Sequence, residues 1–183
     1  MKMAINDEDS VRSRTRRNIP AAKNSKGLKF QKTVTINRPV PEVYGFCRHL
    51  DNLPKFMKHL KAVTTSGGNI LHWAARAGDT TLEWDVETIE VRPNELISWQ
   101  SLPAAEVTSS GSVSFRPAAG NRGTVVTVNL SYSPAGARAG AKAFKLFGKD
   151  TRGQMEEDLY WLKSLLETGE IPTVEGQPHG SRK

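Results

Sequence analysis

HWAARAGDTTLEW, residues His72 to Trp84, carries Gly78-Asp79 at its centre. A Gly-Asp pair between two arms of alternating apolar residues marks a two-residue β-hairpin turn. Folding the chain there pairs Ala77 with Thr80, Ala75 with Leu82, Trp73 with Trp84 and, one step further out, Leu71 with Val86. The other side then holds Arg76 with Thr81, Ala74 with Glu83 and His72 with Asp85. Every large apolar residue meets another on a single face. A slip of one residue would scramble that sorting, so the register follows from the pattern. An antiparallel sheet with one dry and one wet face is expected.

The same register settles the three acids of TLEWDVETIEV. Glu83, Asp85 and Glu87 alternate with Leu82, Trp84 and Val86. They therefore share the wet face of an extended strand. A general acid needs a raised pKa, which burial or a crowded like-charge site provides. A solvated strand face supplies neither, so the acids read as solubilising residues and His72 opposite Asp85 as a surface cross-strand pair.

Beyond Val86 the apolar parity shifts to Ile89 and Val91, which a bulge near Glu87-Thr88 would explain. Arg92-Pro93-Asn94-Glu95 reads as a type I turn with proline in its second position. ELISWQS, GSVSFRP and GTVVTVNLSY continue the sheet, with Val113 and Phe115 on one face and Val126, Val128, Leu130 and Tyr132 on one face. Upstream, LKFQKTVTI alternates as a strand. PEVYGFCRHL spaces Val43, Phe46, Cys47 and Leu50 as a helix. Asp51 stands where it would cap a second short helix carrying Leu53, Phe56 and Met57. Downstream, KAFKLFG suggests a short amphipathic helix. MEEDLYWLKSLLETG then runs Met155, Leu159, Leu162 and Leu166 along one stripe, closed by Gly169. The result is an α+β domain of about seven strands and a long C-terminal helix, spanning residues 28–169.

Two polar tails flank it, residues 1–27 and 170–183. The first carries seven Lys/Arg and three Asp/Glu, so it holds +4 of the net charge of +7. Arg12, Arg14, Arg16 and Arg17 concentrate that charge in a segment expected to be disordered. Contact with RNA, the ribosome or anionic lipid is one use for it; a solvated tail is the simpler one. The folded part carries only +3, weak support for a dedicated nucleic-acid surface. One cysteine, Cys47, excludes an internal disulfide and a multi-cysteine metal cluster, and makes a cytoplasmic setting the default. No apolar run reaches the roughly 20 residues of a membrane span. His49, His59, His72 and His179 lack metal-ligand spacing, and no nucleophile elbow, Walker loop or dinucleotide fingerprint is present.

The element order resembles the helix-grip fold of START and pollen-allergen-like domains. TINRPVPEVYGFCRHLDNLPKFM (residues 35–57) resembles the opening of the polyketide cyclase/dehydrase family, also described as coenzyme-Q-binding START-like proteins. The family pattern is a strand, R-P-x-x-x-V-Y/F-x-F, then N-L-P-x-F-M; here these are Arg38-Pro39, Val43-Tyr44-Gly45-Phe46 and Asn52-Leu53-Pro54-Lys55-Phe56-Met57. LEWDVETIEVRPNELISWQSL and LLETGEIPTVEGQP extend the likeness to about residue 178.

The resemblance implies a curved sheet wrapped around the C-terminal helix, with a cavity between them for a lipid, quinone or polyketide-like molecule. The expected lining is Trp73, Trp84, Trp99, Phe115, Val128 and Tyr132 from the sheet, with Phe144, Met155 and Leu159 from the helical side. No cofactor and no metal are implied. Relatives that cyclise polyketides and relatives that only bind or carry share the fold, and no single catalytic motif transfers. Binding, cyclase or dehydratase chemistry in the same cavity, and a macromolecular interaction module therefore stay open. Tyr132, Tyr44 and Arg76 are the acid–base candidates; Lys142, Lys145 and Lys149 interleaved with Phe144 and Phe147 admit transient membrane contact.

Overall fold

A computed structural model describes residues 28–103, 105, 107–134 and 151–172. Residues 1–27, residues 173–183 and the KAFKLFG segment with Phe144 lie outside the described residues. So does the side chain of Tyr132, although its backbone is part of a strand.

Strand β1 (Leu28–Ile36) leads into helix α1 (Val40–Cys47) and a 3-10 turn at Leu50–Lys55. Six strands follow: β2 (Leu60–Gly67), β3 (Ile70–Ala77), β4 (Thr80–Arg92), β5 (Leu96–Ser101), β6 (Val107–Pro117) and β7 (Thr124–Pro134). Helix α2 (Thr151–Thr168) closes the described chain. The sheet is a seven-stranded antiparallel meander, except that β1 joins its far end beside β7, in the order β1-β7-β6-β5-β4-β3-β2. The curved sheet grips α2, which is the helix-grip, START-like architecture.

The central hairpin has the register that its apolar alternation dictates. Trp73 faces Trp84, Ala75 faces Leu82 and Leu71 faces Val86, while His72 faces Asp85. Gly78 takes a φ of 65° at the turn, a conformation glycine adopts without steric cost. The bulge in β4 falls at Ile89, between Thr88 and Glu90, one residue beyond the expected place. It does not bury the residues after it: Ile89 and Val91 remain 47% and 52% exposed. The helical cover falls mainly on β1, β2 and β6, away from this stretch.

Two local expectations are corrected. The turn after β4 carries Asn94 at φ 62° with Glu95 N–H bonded to Arg92 C=O at 3.0 Å. Positive φ in the third position marks a type II turn, which asparagine tolerates behind proline. Asp51 lies inside the 3-10 turn rather than capping it. The local fastening comes from Asn52, whose Nδ2 donates to Phe46 C=O at 2.9 Å.

α2 is pinned at its C-terminal end. Arg38 donates from Nε to Leu166 C=O at 2.9 Å and from Nη2 to Glu167 C=O at 2.7 Å. These are carbonyls that the last turn of a helix cannot satisfy internally. Asn37 N–H donates to Glu167 Oε1 at 2.6 Å, and Lys163 Nζ to Thr35 C=O at 2.7 Å. The Arg-Pro motif is thus structural, with Arg38 tying the first strand to the last helix and Pro39 opening α1.

Apolar burial divides into two clusters. One gathers Ile36, Val43, Tyr44, Phe115, Val126 and Leu162 beneath α1 and the pinned end of α2. The other gathers Trp73, Trp84, Trp99, Leu60, Leu82 and Val107 on the β2–β6 side. Leu53, Met57 and Val113 touch both.

Candidate ligand-binding site

A hollow of about 110 Å³ lies where the two clusters meet, lined by residues of both. Trp73, Trp84, Trp99, Val113, Val128 and Leu130 form its sheet wall. Met155, Leu159 and Leu162 of α2 form the opposite wall, and Leu53, Phe56 and Met57 of the 3-10 turn region close one side. Engineered apolar cavities of about 150 Å³ stay dry and bind benzene, so this one suits roughly one ring. Pockets for larger organic ligands run to about 300 Å³ and more.

The indoles are held as a group. The ring centroids of Trp73 and Trp84 are 5.8 Å apart, and those of Trp73 and Trp99 are 6.1 Å apart, both pairs tilted. Cross-strand pairing of Trp73 with Trp84 sets the first contact. Trp99 lies over Gly111 of the neighbouring strand: a Cβ there would stand 2.4 Å from Trp99 Cζ2 and 2.9 Å from Leu130 Cδ2. Gly111 therefore sets how flat the third indole lies.

Of the expected lining residues, Trp73, Trp84, Trp99, Val128, Met155 and Leu159 stand on the cavity wall. Phe115 is not among the lining residues. It lies on the inner face as its parity requires, but one inward position beyond Val113, where it meets Tyr44 edge-on at 5.5 Å in the filled cluster. Parity gives the face of a strand, not the distance along it. Tyr44 is thereby a packing residue. Arg76 is exposed on the outer face, opposite Thr81. The outer acids behave as read, with His72 Nδ1 2.9 Å from Asp85 Oδ1 on the wet side. Cys47 lines the cavity, and burial pushes its thiol up to about 12.

The polar feature of the site was not anticipated. His59, just before β2, and Asp158, on α2, both line the cavity with Nδ1 and Oδ2 3.7 Å apart. Burial lowers the His59 pKa to about 4. Burial, with repulsion from Glu157, raises Asp158 to about 7 against a smaller opposing pull from Lys58. Both groups are thus neutral, or close to it, just below neutral pH. The sequence did contain a signal: Asp158 falls three residues after Met155 and four before Leu162, a carboxylate on an apolar stripe. Elsewhere the wall is nearly all carbon. The indole N–H groups of Trp73 and Trp84 are buried with no acceptor among the described residues. Among those residues no group of three or more His, Cys, Asp or Glu is placed to hold a metal, and no helix is long and apolar enough to cross a membrane.

The family model described as polyketide cyclase / dehydrase and lipid transport matches residues 36–160. The structure superposes on that of a Deinococcus radiodurans protein with a TM-score of 0.64 and 32% identity, over 78% of this chain and 99% of that one. A START superfamily protein from Mycobacterium smegmatis gives 0.61 at 14% identity, over 78% and 99%. The Zhui aromatase/cyclase from Streptomyces sp. R1128 gives 0.60 at 11% identity, over 80% and 99%. The last two share the fold alone. No curated protein matches the sequence. With the family model covering more than half of its length, the chain belongs to the polyketide cyclase / dehydrase and lipid transport family.

Proposed function

We propose that this protein binds an apolar or aromatic small molecule between the three indoles and α2. The observation that carries the reading is the hollow itself, about 110 Å³, walled by tryptophan, leucine and methionine instead of being filled by them. Native cores pack to the density of organic crystals and leave few such voids. Transfer of a guest from water would be driven by apolar area, at roughly 25 cal/mol per Å². The volume accommodates one ring of a quinone, a lipid terminus or a polyketide-like aromatic; a longer guest requires the wall to yield. The expected setting is cytoplasmic.

The test is native mass spectrometry of the freshly purified chain, followed by titration with quinones, lipids and aromatic polyketides while the indole N–H resonances are observed. Shifts at Trp73, Trp84 and Trp99 are expected. A broad panel that leaves all three unmoved sinks the reading.

A second reading, cyclase or dehydratase chemistry in the same cavity, is favoured by one observation: His59 and Asp158 face the hollow as a buried acid–base pair. It predicts turnover of a reactive poly-ketone that disappears in Asp158→Asn while binding persists. Binding without turnover in the native chain returns the protein to the carrier reading.

A further inference from the structure

An apolar hollow that only stored hydrocarbon would have no reason to bury a carboxyl group and an imidazole. Removing such groups from water costs several kcal/mol each unless something hydrogen-bonds to them. Here the two groups stand 3.7 Å apart, beyond hydrogen-bond reach, so neither fully satisfies the other. Their side chains keep 15% and 10% exposure, and both line the cavity.

Ser109, Ser131 and Gln154 are the other hydroxyl- and amide-bearing residues of the described lining. The Ser109 hydroxyl is 2.7 Å from that of Ser101. The indole nitrogens of Trp73 and Trp84 have essentially no accessible surface, so a guest reaches them only if the rings turn. No lysine or arginine is among the described lining residues. Among the described residues Lys58, which is not on the wall, sits 4.1 Å over the Trp161 ring and 3.5 Å from Glu157.

We propose that His59 and Asp158 form a polar clamp that selects a guest bearing a neutral hydroxyl or carbonyl oxygen, against a plain hydrocarbon and against a carboxylate. The proposal rests on the cavity-binding reading. A neutral imidazole and a protonated carboxyl each offer one donor and one acceptor, so the pair matches a phenol, an enol or a ketone. A carboxylate would find no counter-charge among the described lining residues, and Asp158 on losing its proton would repel it. The charged groups around the pair are Glu157 on its own helix and Lys58 beside His59 on the facing segment; both act from outside the cavity.

Three ring-sized probes test the clamp on the full chain at pH 6: 4-methylphenol, p-xylene and 4-methylbenzoate, followed by the indole N–H shifts. A dry pocket with no polar partner prefers p-xylene over 4-methylphenol by about tenfold, the cost of burying an unpaired hydroxyl. The clamp predicts that 4-methylphenol binds at least as tightly as p-xylene, and 4-methylbenzoate at least about tenfold more weakly than the phenol. Asp158→Leu and, independently, His59→Leu should restore the preference for p-xylene, while Asp158→Asn, which keeps a donor and an acceptor, should retain the phenol. A native chain that prefers p-xylene overturns the clamp and leaves cavity binding intact. So does an order of preference that neither leucine variant changes. Failure of every probe to bind overturns the cavity reading and the clamp with it.

Discussion

The two ends of the interior are built from similar residues and end up with different properties. At one end Ile36, Val43, Tyr44, Phe115 and Val126 fill the space beneath α1. There α2 is fastened by Arg38, Asn37 and Lys163 through hydrogen bonds of 2.6–2.9 Å. At the other end the three indoles meet the first half of α2 across a hollow of about 110 Å³. That half is secured to the segment before β2 by Lys58, which lies against Trp161 and Glu157, and to β1 by the Lys32–Glu156 ion pair. Surface pairs of this kind contribute little, about 0–1 kcal/mol. One helix thus serves as a structural member at its C-terminal end and as a cavity wall nearer its N-terminal end.

Truncation should expose the contrast most strongly. Phe115→Ala removes a ring from the filled end and leaves a void that the pinned helix cannot collapse into. A loss of about 3–5 kcal/mol is expected in urea unfolding followed by tryptophan fluorescence. Met155→Ala on the cavity wall should cost about 2 kcal/mol, at the low end for its type, because Met155 already faces a hollow. Equal costs would erase the distinction between the two ends.

The buried pair gives the next largest effect, visible only when one partner is removed. Asp158 has its folded pKa raised, so its contribution is full below about pH 4 and is lost as pH rises toward 7. His59 has its folded pKa lowered, so its contribution is full above 6.5 and is lost as pH falls toward 4. Between pH 4 and 6.5 the two slopes oppose, and the native protein should show a nearly flat stability profile from this pair. Asp158→Asn should leave His59 uncompensated and lose on the order of 3 kcal/mol on acidification from pH 6.5 to 4. His59→Gln should instead gain stability over the same interval. Parallel profiles for the three proteins would mean that these side chains are not buried against the cavity.

How much of this was legible depends on which physical rule the sequence expresses. Alternation around Gly78-Asp79 specified the pairing of β3 with β4 residue by residue, because the dry face tolerates no slip. The helical stripe Met155, Leu159, Leu162 specified which side of α2 turns inward. Depth was not legible: Phe115 has the expected face and lies at the filled end, since period-two patterning carries no measure of position along a strand. The hollow was not legible either, because a void is a mismatch of volumes between elements distant in sequence. Asp158 was legible and overlooked, a carboxylate placed on the apolar stripe between Met155 and Leu162. His59 was not, since its partner is 99 residues away, on α2.

Gly111 offers a finer cut at the same contrast. A methyl group there meets Trp99 and Leu130 well inside contact distance, so Trp99 must lift off β6. Gly111→Ala should cost about 1–3 kcal/mol through strain. It should also move the Trp99 indole resonance while leaving the Phe115–Tyr44 region unchanged. A shift spread evenly over both ends would show that the hollow and the filled cluster behave as one core.

The smallest expected effect concerns the outer face of the strand that carries Trp84 on its inner side. Glu83 and Asp85 project into solvent, and the His72–Asp85 pair is exposed on both sides. Water screens such a pair and side-chain entropy opposes it, so Glu83→Gln and Asp85→Asn should each change stability by no more than about 0.5 kcal/mol. Neither should alter the affinity of a cavity guest, because the sheet separates these carboxylates from the indole wall. An order-of-magnitude change in guest binding on Asp85→Asn would place the working face of β4 on its wet side, and the hollow beneath α2 would then be a packing defect.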